Sequence, residues 1–350
     1  MRNLLVITQR VDEEDDLLGF FVDWIREFAK HFDRVSVITL AKGKFDLPAN
    51  VEVFSLGKEK GRSKILWPII FYWRLLQSLP RARGMFAHMS PAFAIAAWPL
   101  TALFGKKLVL WYLHRSVTLK LRIAARLCHT IATASLESLN LKSDKIVEVG
   151  HGINVNRFRS DRIWDRSHDI LRVISVGRLS KIKNYETLIR AVYTLKNNGI
   201  NLQAEIIGQP VMAPDFEYTK SLNQLVSELN LDQTVKFSGL IPYDRIAECY
   251  KKADVAINLA PSGGIDKAVL EAMASGNLIL VSNEAFRRYL GGYASSLIFK
   301  HDDPVDLAEK LIALHALPAL EKEKISRFLI EQVSQNHNLS SLIPKLAALI

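Results

Sequence analysis

Short β-branched runs alternate along the chain with longer segments whose apolar positions recur every three to four residues. In the first half the runs cover residues 4–8, 34–39, 51–56, 108–113, 130–133 and 146–149. In the second they cover residues 171–176, 203–207, 235–237, 255–259, 278–281 and 296–299. Amphipathic stretches at 20–31, 185–198, 218–229 and 306–314 lie between them and predict helices. Strands that alternate with helices predict parallel sheets covered by helices on both faces. The pattern restarts after a charged stretch at 157–169, where Leu171 opens a second strand-turn-helix series. The expected architecture is therefore α/β, with two Rossmann-like doubly wound domains facing a central cleft. Ligands of such sheets collect at the carboxyl ends of the strands.

Two apolar stretches complicate this picture. Residues 65–79 are interrupted by Pro68 and Arg74, and residues 85–104 by His88, Pro91 and Pro99. Neither supplies the roughly 20 clean apolar residues of a spanning helix, so both are expected as buried helices, although MFAH, ending at His88, is strand-like, as is LVLWYLH, ending at His114. The first apolar run is too short for a signal peptide and is followed by five acidic residues, which favours a first strand. Cys128 and Cys249 stand alone, without ligand or disulfide spacing, and point to a reducing cytoplasm.

Charge adds an asymmetry. The net charge of +10 is concentrated in the first half, where residues 1–158 hold 23 Lys/Arg against 14 Asp/Glu. Residues 58–126 carry 13 basic side chains and a single acid, Glu59, among aromatics such as Trp67, Phe71, Tyr72 and Trp73. Such a field suits an anionic partner, and basic residues beside aromatics suit an anionic membrane interface. An ordinary solvated basic face is the alternative. No nucleic acid is expected as a partner, because charge alone supports one and no binding motif accompanies it.

The chain contains no GxGxxG after a strand, no GxxxxGK[ST], no DxD and no GxSxG. Dinucleotide dehydrogenation, P-loop phosphoryl transfer, a metal-bridged diphosphate and a serine-hydrolase elbow therefore lack their residues. No metal site is expected.

What remains is in the second half. The strand at 171–176 runs into Gly177-Arg178-Leu179-Ser180-Lys181-Ile182-Lys183-Asn184, with Asn184 as expected N-cap of the next helix. Arg178 and Lys183 on that loop have the charge to neutralise a diphosphate. After the strand at 255–259, Pro261-Ser262-Gly263-Gly264-Ile265-Asp266 feeds a helix that begins at Lys267. Its N-terminus is a natural anion site, and Gly263 and Gly264 permit close backbone approach. Glu271, one turn in and on the face of Lys267, suits a ribose diol.

Several ordered blocks together resemble glycosyltransferase family 4, retaining enzymes of the two-domain GT-B fold. The blocks are VGHGINVNRF, SVGRLSKIKNYETLIRA, VKFSGLIPYDRIAECYKKADVAINLAPS and VLEAMASGNLILVS. The resemblance implies an N-terminal acceptor-binding domain at 1–158 and a C-terminal nucleotide-sugar domain at 159–335. It also implies a last helix, 336–350, that crosses back to the first domain. Gly177, Arg178, Lys183, Gly263, Gly264, Ile265, Asp266, Lys267 and Glu271 are thereby expected at the donor, with Arg178 and Lys183 on its diphosphate. Glu271 takes the second position of the family's E-x7-E motif, and Gly263 stands where the first glutamate belongs. Either Asp266 or backbone N–H groups would then hold the sugar. His114 falls where the family often carries a histidine beside the transferring sugar. Asp15, Asp16, Gly19 and His88 are expected on the acceptor side; the acidic pair could equally complement a helix dipole.

The implied activity is metal-independent transfer of a sugar from a UDP- or GDP-linked donor, with retention, to a glycan or lipid-linked acceptor. No cofactor is required, and the expected location is cytoplasmic, peripheral at the inner face of the membrane. The missing glutamate at Gly263 keeps a second reading open, a catalytically impaired GT-B module that binds a sugar nucleotide or glycan.

Overall fold

The computed structural model describes residues 2–15, 17–160, 164, 170–261 and 263–350. Its Cα positions group into two compact units. Unit 1 comprises Met1–Asn154, Pro242–Asp244 and His337–Ile350; unit 2 comprises Val155–Ile241 and Arg245–Asn336.

Unit 1 is built on a parallel sheet of seven strands. They are β1 (Asn3–Val11), β2 (Arg34–Lys42), β3 (Val51–Ser55), β4 (Gly84–His88), β5 (Lys107–Trp111), β6 (Thr130–Thr133) and β7 (Ile146–Glu148), in the order β3-β2-β1-β4-β5-β6-β7. Helices α1 (Phe20–His31), α2 (Leu66–Ser78), α3 (Pro91–Leu103) and α4 (Leu119–Leu127) connect them.

The two-residue period of a strand sorts the core into two clusters. Leu4, Val6, Val35, Phe86, Val109 and Trp111 turn one way, onto Phe21, Trp24, Ile25 and Phe28 of α1. Leu5, Ile7, Met85, Ala87, Leu108 and Leu110 turn the other way, onto Phe71 and Leu75 of α2, Ala94 and Ala97 of α3, and Leu121 and Ala124 of α4.

Unit 2 carries α5 (Val155–Phe158), then β8 (Leu171–Val176), α6 (Tyr185–Asn197), β9 (Leu202–Ile207), α7 (Ala213–Glu228), β10 (Val235–Gly239), α8 (Ile246–Lys252), β11 (Val255–Asn258), α9 (Lys267–Ala274) and β12 (Leu278–Val281). Four helices follow: α10 (Arg287–Leu290), α11 (Ala294–Leu297), α12 (Pro304–Ala316) and α13 (Ala319–Asn336). All strand pairs are parallel, in the order β10-β9-β8-β11-β12. The chain then returns to unit 1, where α14 (Leu339–Leu349) buries Leu339, Leu342, Ile343 and Leu346 in the cluster around α1.

Three local readings are corrected. Residues 85–104 are not one buried helix: the run before His88 is β4, and Ser90 then caps α3 by accepting from the Phe93 N–H at 3.4 Å. Residues 296–299 are not a strand, because α11 extends to Leu297 and only Ile298 pairs, in an isolated bridge with Val281. Residues 65–79 are helical, but α2 buries only Phe71 and Leu75. Part of the charged stretch at 157–169 lies outside the described residues.

Candidate functional site

In unit 2 the order of the strands reverses between β8 and β11, and the loops after these two strands come together. The first begins at Gly177, whose N–H donates to Ile207 O at 2.9 Å. Gly208, at the end of β9, lies so close that a Cβ on it would stand 2.0 Å from Gly177 O. Only glycine lets these two chain ends touch. The Tyr185 hydroxyl donates to Gly177 O at 2.9 Å, and its burial raises the phenol well above its usual range, so it stays a neutral donor.

Arg178 follows, with its side chain 42% exposed and its Nε 3.6 Å from Asp215 Oδ2. The Met212 and Val211 N–H groups and the Arg178 guanidinium together hold the Asp215 carboxyl below its usual range. Residues Lys181–Lys183 form a 3₁₀ turn that carries Lys183 inward. Asn184 does precede α6, but in a left-handed conformation without a capping bond; its amide donates to Thr187 Oγ1 instead.

The second loop leads to α9. Lys183 Nζ donates to Asp266 Oδ2 at 2.5 Å, the Asn258 amide donates to the same oxygen at 2.9 Å, and the Ala268 N–H donates to Asp266 Oδ1 at 3.1 Å. Asp266 is thus the N-cap of α9 and the partner of Lys183 at once. Burial by itself would raise its pKa, yet the Lys183 ammonium and these bonds outweigh that and hold it at about 2.

Gly263 has φ +135°, and Gly264 O accepts from the Asn283 amide at 3.1 Å. Ile265 is buried. One turn into α9, Glu271 is buried and bonded by the Lys267 ammonium, the pair predicted by their spacing of four. Tyr250 closes the floor, its hydroxyl donating to Ala268 O at 3.0 Å. Arg178, Lys183, Asp266, Lys267 and Glu271 thus all lie on the loop after β8 or at the start of α9. Among the described residues no group of three or more His, Cys, Asp or Glu is placed to hold a metal ion.

The other expected residues belong to unit 1. His114 is exposed beyond β5, and its Nδ1 accepts from the Ser116 N–H at 3.0 Å, which leaves the proton of the neutral ring on Nε2. Asp15 accepts from the Leu17 and Leu18 N–H groups at 3.0 and 2.8 Å and pairs with Arg10 at 3.1 Å, so it shapes the turn into α1. Gly19 packs so tightly there that a Cβ would stand 2.5 Å from Asp15 O. Asp16 lies outside the described residues.

His88 is closed to solvent at the end of β4. Its ring stacks on Phe21 at 3.8 Å, and its Nδ1 shares a 3.2 Å hydrogen bond with the Thr8 hydroxyl. Burial lowers its pKa from 6.5 to about 3. Because the folded ring resists protonation and the unfolded ring does not, stability falls as the pH drops below 6.5. Between pH 7 and pH 5 the loss should be about 2 kcal/mol. Urea unfolding of the protein and of His88→Phe at both pH values checks this, since the variant should lose that part of the slope.

Comparison with known proteins bears on the fold and on unit 2. Residues 157–328, just under half of the chain, match the family model described as glycosyl transferases group 1. Unit 2 is glycosyltransferase-like. Over 222 residues the chain is 25% identical to WcaL of Escherichia coli (strain K12), a glycosyltransferase named for colanic acid biosynthesis, covering 61% of this chain and 53% of that protein. It is 31% identical over 157 residues to the amylovoran biosynthesis glycosyltransferase AmsK of Erwinia amylovora, covering 43% and 36%. The chain thus spans about a third to a half of the length of such relatives.

Solved structures match over the whole chain. Anabaena HepE in complex with UDP has a TM-score of 0.75 at 17% identity, covering 99% of both chains. Sucrose-phosphate synthase from Thermosynechococcus elongatus has 0.78 at 14%, covering 100% of this chain and 98% of that one. The fold is therefore GT-B, with two parallel-sheet Rossmann-like domains, as the sequence led us to expect.

Asn258 and Asp215 are among the residues of this site that the sequence does not single out. Asn258 ends the otherwise apolar strand VAIN, and a polar side chain at that end of a buried strand is a readable signal. Asp215 leaves no such mark, because nothing in the local pattern ties it to Arg178.

Proposed function

We propose that the chain is a metal-independent, retaining glycosyltransferase of family 4 type that takes a UDP- or GDP-linked sugar. The observation that carries this reading is the junction at the β8/β11 switch point, where Lys183 of the loop after β8 bonds Asp266 at the N-cap of α9, with Arg178 on the same loop and the buried Glu271 one turn into that helix. Open parallel sheets bind nucleotides at such a point. Arg178 and Lys183 supply fixed positive charge where a departing diphosphate gains negative charge, and such preorganised charge lowers the barrier. Glu271 accepts hydrogen bonds from the ribose diol. The acceptor hydroxyl attacks the anomeric carbon as its bond to the phosphate oxygen breaks, and the proton passes to that oxygen, on the same face of the sugar. By the family resemblance His114 acts on the transferring sugar and Asp15, Asp16 and Gly19 on the acceptor, while His88, closed to solvent, supports that side from within the core of unit 1. A glycan or lipid-linked acceptor, met at the cytoplasmic face of a membrane, fits the basic first half. The UDP bound by Anabaena HepE supports a uridine donor.

Titration calorimetry with UDP and GDP, followed by transfer assays with a panel of sugar nucleotides, tests the proposal. Glu271→Gln should weaken nucleotide binding about 10- to 100-fold, the worth of hydrogen bonds to a charged group. Unchanged affinity in that variant would remove Glu271 from the donor site. Gly263, in the place of a sugar-holding glutamate, favours one second reading, a module that binds the nucleotide without transfer. Binding with no turnover of any donor would decide for it.

A further inference from the structure

Helix α2 is apolar on both sides. Its inner side, Phe71 and Leu75, is buried on the sheet. Its outer side carries Ile65, just before the first turn, then Ile69, Tyr72, Trp73 and Leu76, positions that align along one flank of a helix. They stand open to solvent: Ile65 is 80% exposed, Ile69 64%, and Trp73 and Leu76 51% each. A surface helix of a globular domain ordinarily turns polar side chains outward. Contiguous apolar patches of this kind mark a contact surface.

The patch continues onto the neighbouring helix. The Tyr72 hydroxyl donates to Ala96 O at 2.9 Å, and Phe71 stacks on Phe93 at 5.6 Å, so α3 lies against α2. On α3, Trp98 and Leu103 are exposed as well.

Charge decides what covers the patch. The segment leading into α2 presents Lys58, Lys60, Arg62 and Lys64, all exposed. The one acid among them, Glu59, is occupied in accepting from the Ser55 hydroxyl at 2.6 Å. The Arg74 guanidinium lies 4.2 Å from the ring centroids of both Phe54 and Trp73, so a cation accompanies the aromatic part of the stripe. On α4, in the same helical layer, Lys120, Arg122 and Arg126 are exposed. An apolar stripe rimmed by cations is complementary to a bilayer with anionic headgroups: side chains enter the acyl boundary while Lys and Arg remain among the phosphates. Among the described residues no helix is long and apolar enough to cross a membrane. The contact is therefore one of lying on the surface.

We propose that the outer face of α2, led by Ile65, Ile69, Trp73 and Leu76, is a membrane-docking surface for anionic lipid. The proposal goes beyond the donor chemistry and does not depend on it.

The test is co-sedimentation of the full chain with vesicles of phosphatidylglycerol and phosphatidylcholine, against vesicles of phosphatidylcholine alone. Binding to the anionic vesicles should be at least about tenfold stronger and should weaken steeply with added salt. The variant Ile69→Glu/Trp73→Glu alters only exposed positions, and it should lose most of that binding while keeping its melting temperature and its response to UDP. Replacing Lys58, Lys60, Arg62 and Lys64 by Ala should flatten the salt dependence. Equal binding of wild type and the Glu variant would overturn the proposal. So would a dimer in sedimentation velocity that the variant dissociates and that shows no preference for anionic vesicles, since the stripe would then be an interface between two copies. Loss of vesicle binding with an intact UDP response would separate this proposal from the functional reading of unit 2.

Discussion

Arg178→Ala should lower sugar transfer about 10²- to 10³-fold, the effect of removing one preorganised charge from a developing anion, and should leave the melting temperature almost unchanged. Stability is spared because the side chain is 42% exposed and its partner Asp215 is 3.6 Å away; exposed ion pairs of that kind contribute little to folding. Asp215 keeps its bonds from Val211 and Met212 without the arginine. The loss should fall mainly on kcat, since the charge it answers is largest as the leaving group departs. Arg178→Lys keeps the charge but not the planar fork and should fall between the two. Initial rates over a range of donor concentrations, with thermal melting of each variant, check all of this. Wild-type turnover in Arg178→Ala would end the donor-site assignment.

The sequence showed most of the fold, because the signals that define it are periodic. Strands at 130–133, 171–176 and 278–281 and the helix at 20–31 appear in the structure with the bounds read from the pattern. Errors fell where periodicity is ambiguous. The stretch at 85–104 is mostly apolar, interrupted at His88, Pro91 and Pro99, and such a run does not by itself distinguish a buried strand from a buried helix. The strand-like run MFAH, ending at His88, is the legible part of it, and the break at Ser90 and Pro91 marks where the helix starts. Helix α2 failed for a different reason. Its residues are apolar enough to be buried, and nothing local says that one side of a helix has no protein against it.

Within the site, the same division holds. Arg178 and Lys183 were legible as cations on a loop after a strand, and the Lys267–Glu271 pair as a spacing of four. The links between segments were not legible. Asp266 was readable as a substitute sugar-holder or as a neighbour of a helix start, while the structure shows it bonded to Lys183, Asn258 and the Ala268 N–H at once. The bond from Lys183 joins residues 83 apart along the chain, and no local pattern records it.

That arrangement gives Asp266 two opposing effects, and they separate in Asp266→Asn. Asparagine is as good an N-cap as aspartate, so α9 should keep its start. The charge partner of Lys183 is lost, however, from side chains only 19% and 24% exposed. Breaking a fully buried pair costs about 3–5 kcal/mol, and this partly open one should cost about 2. Asp266→Ala removes the cap as well and should cost about 1 kcal/mol more. The pH dependence agrees in sign. A carboxyl with pKa about 2 in the folded chain and 3.8 ordinarily stabilises the fold fully above pH 3.8, and that stability, about 2 kcal/mol, is lost as the pH falls toward 2. Acid unfolding should therefore begin at higher pH in Asp266→Asn than in the wild type.

Nucleotide binding should move the other way. With Asp266 neutral, the Lys183 ammonium has no anion but the incoming diphosphate, so UDP should bind several-fold more tightly to a less stable protein. Calorimetric titration of UDP beside chemical unfolding reads both effects from one preparation. Weaker UDP binding in Asp266→Asn would mean that Lys183 needs its carboxylate to stand where a phosphate can reach it. Asp266 would then be a positioning residue for the cation rather than its competitor.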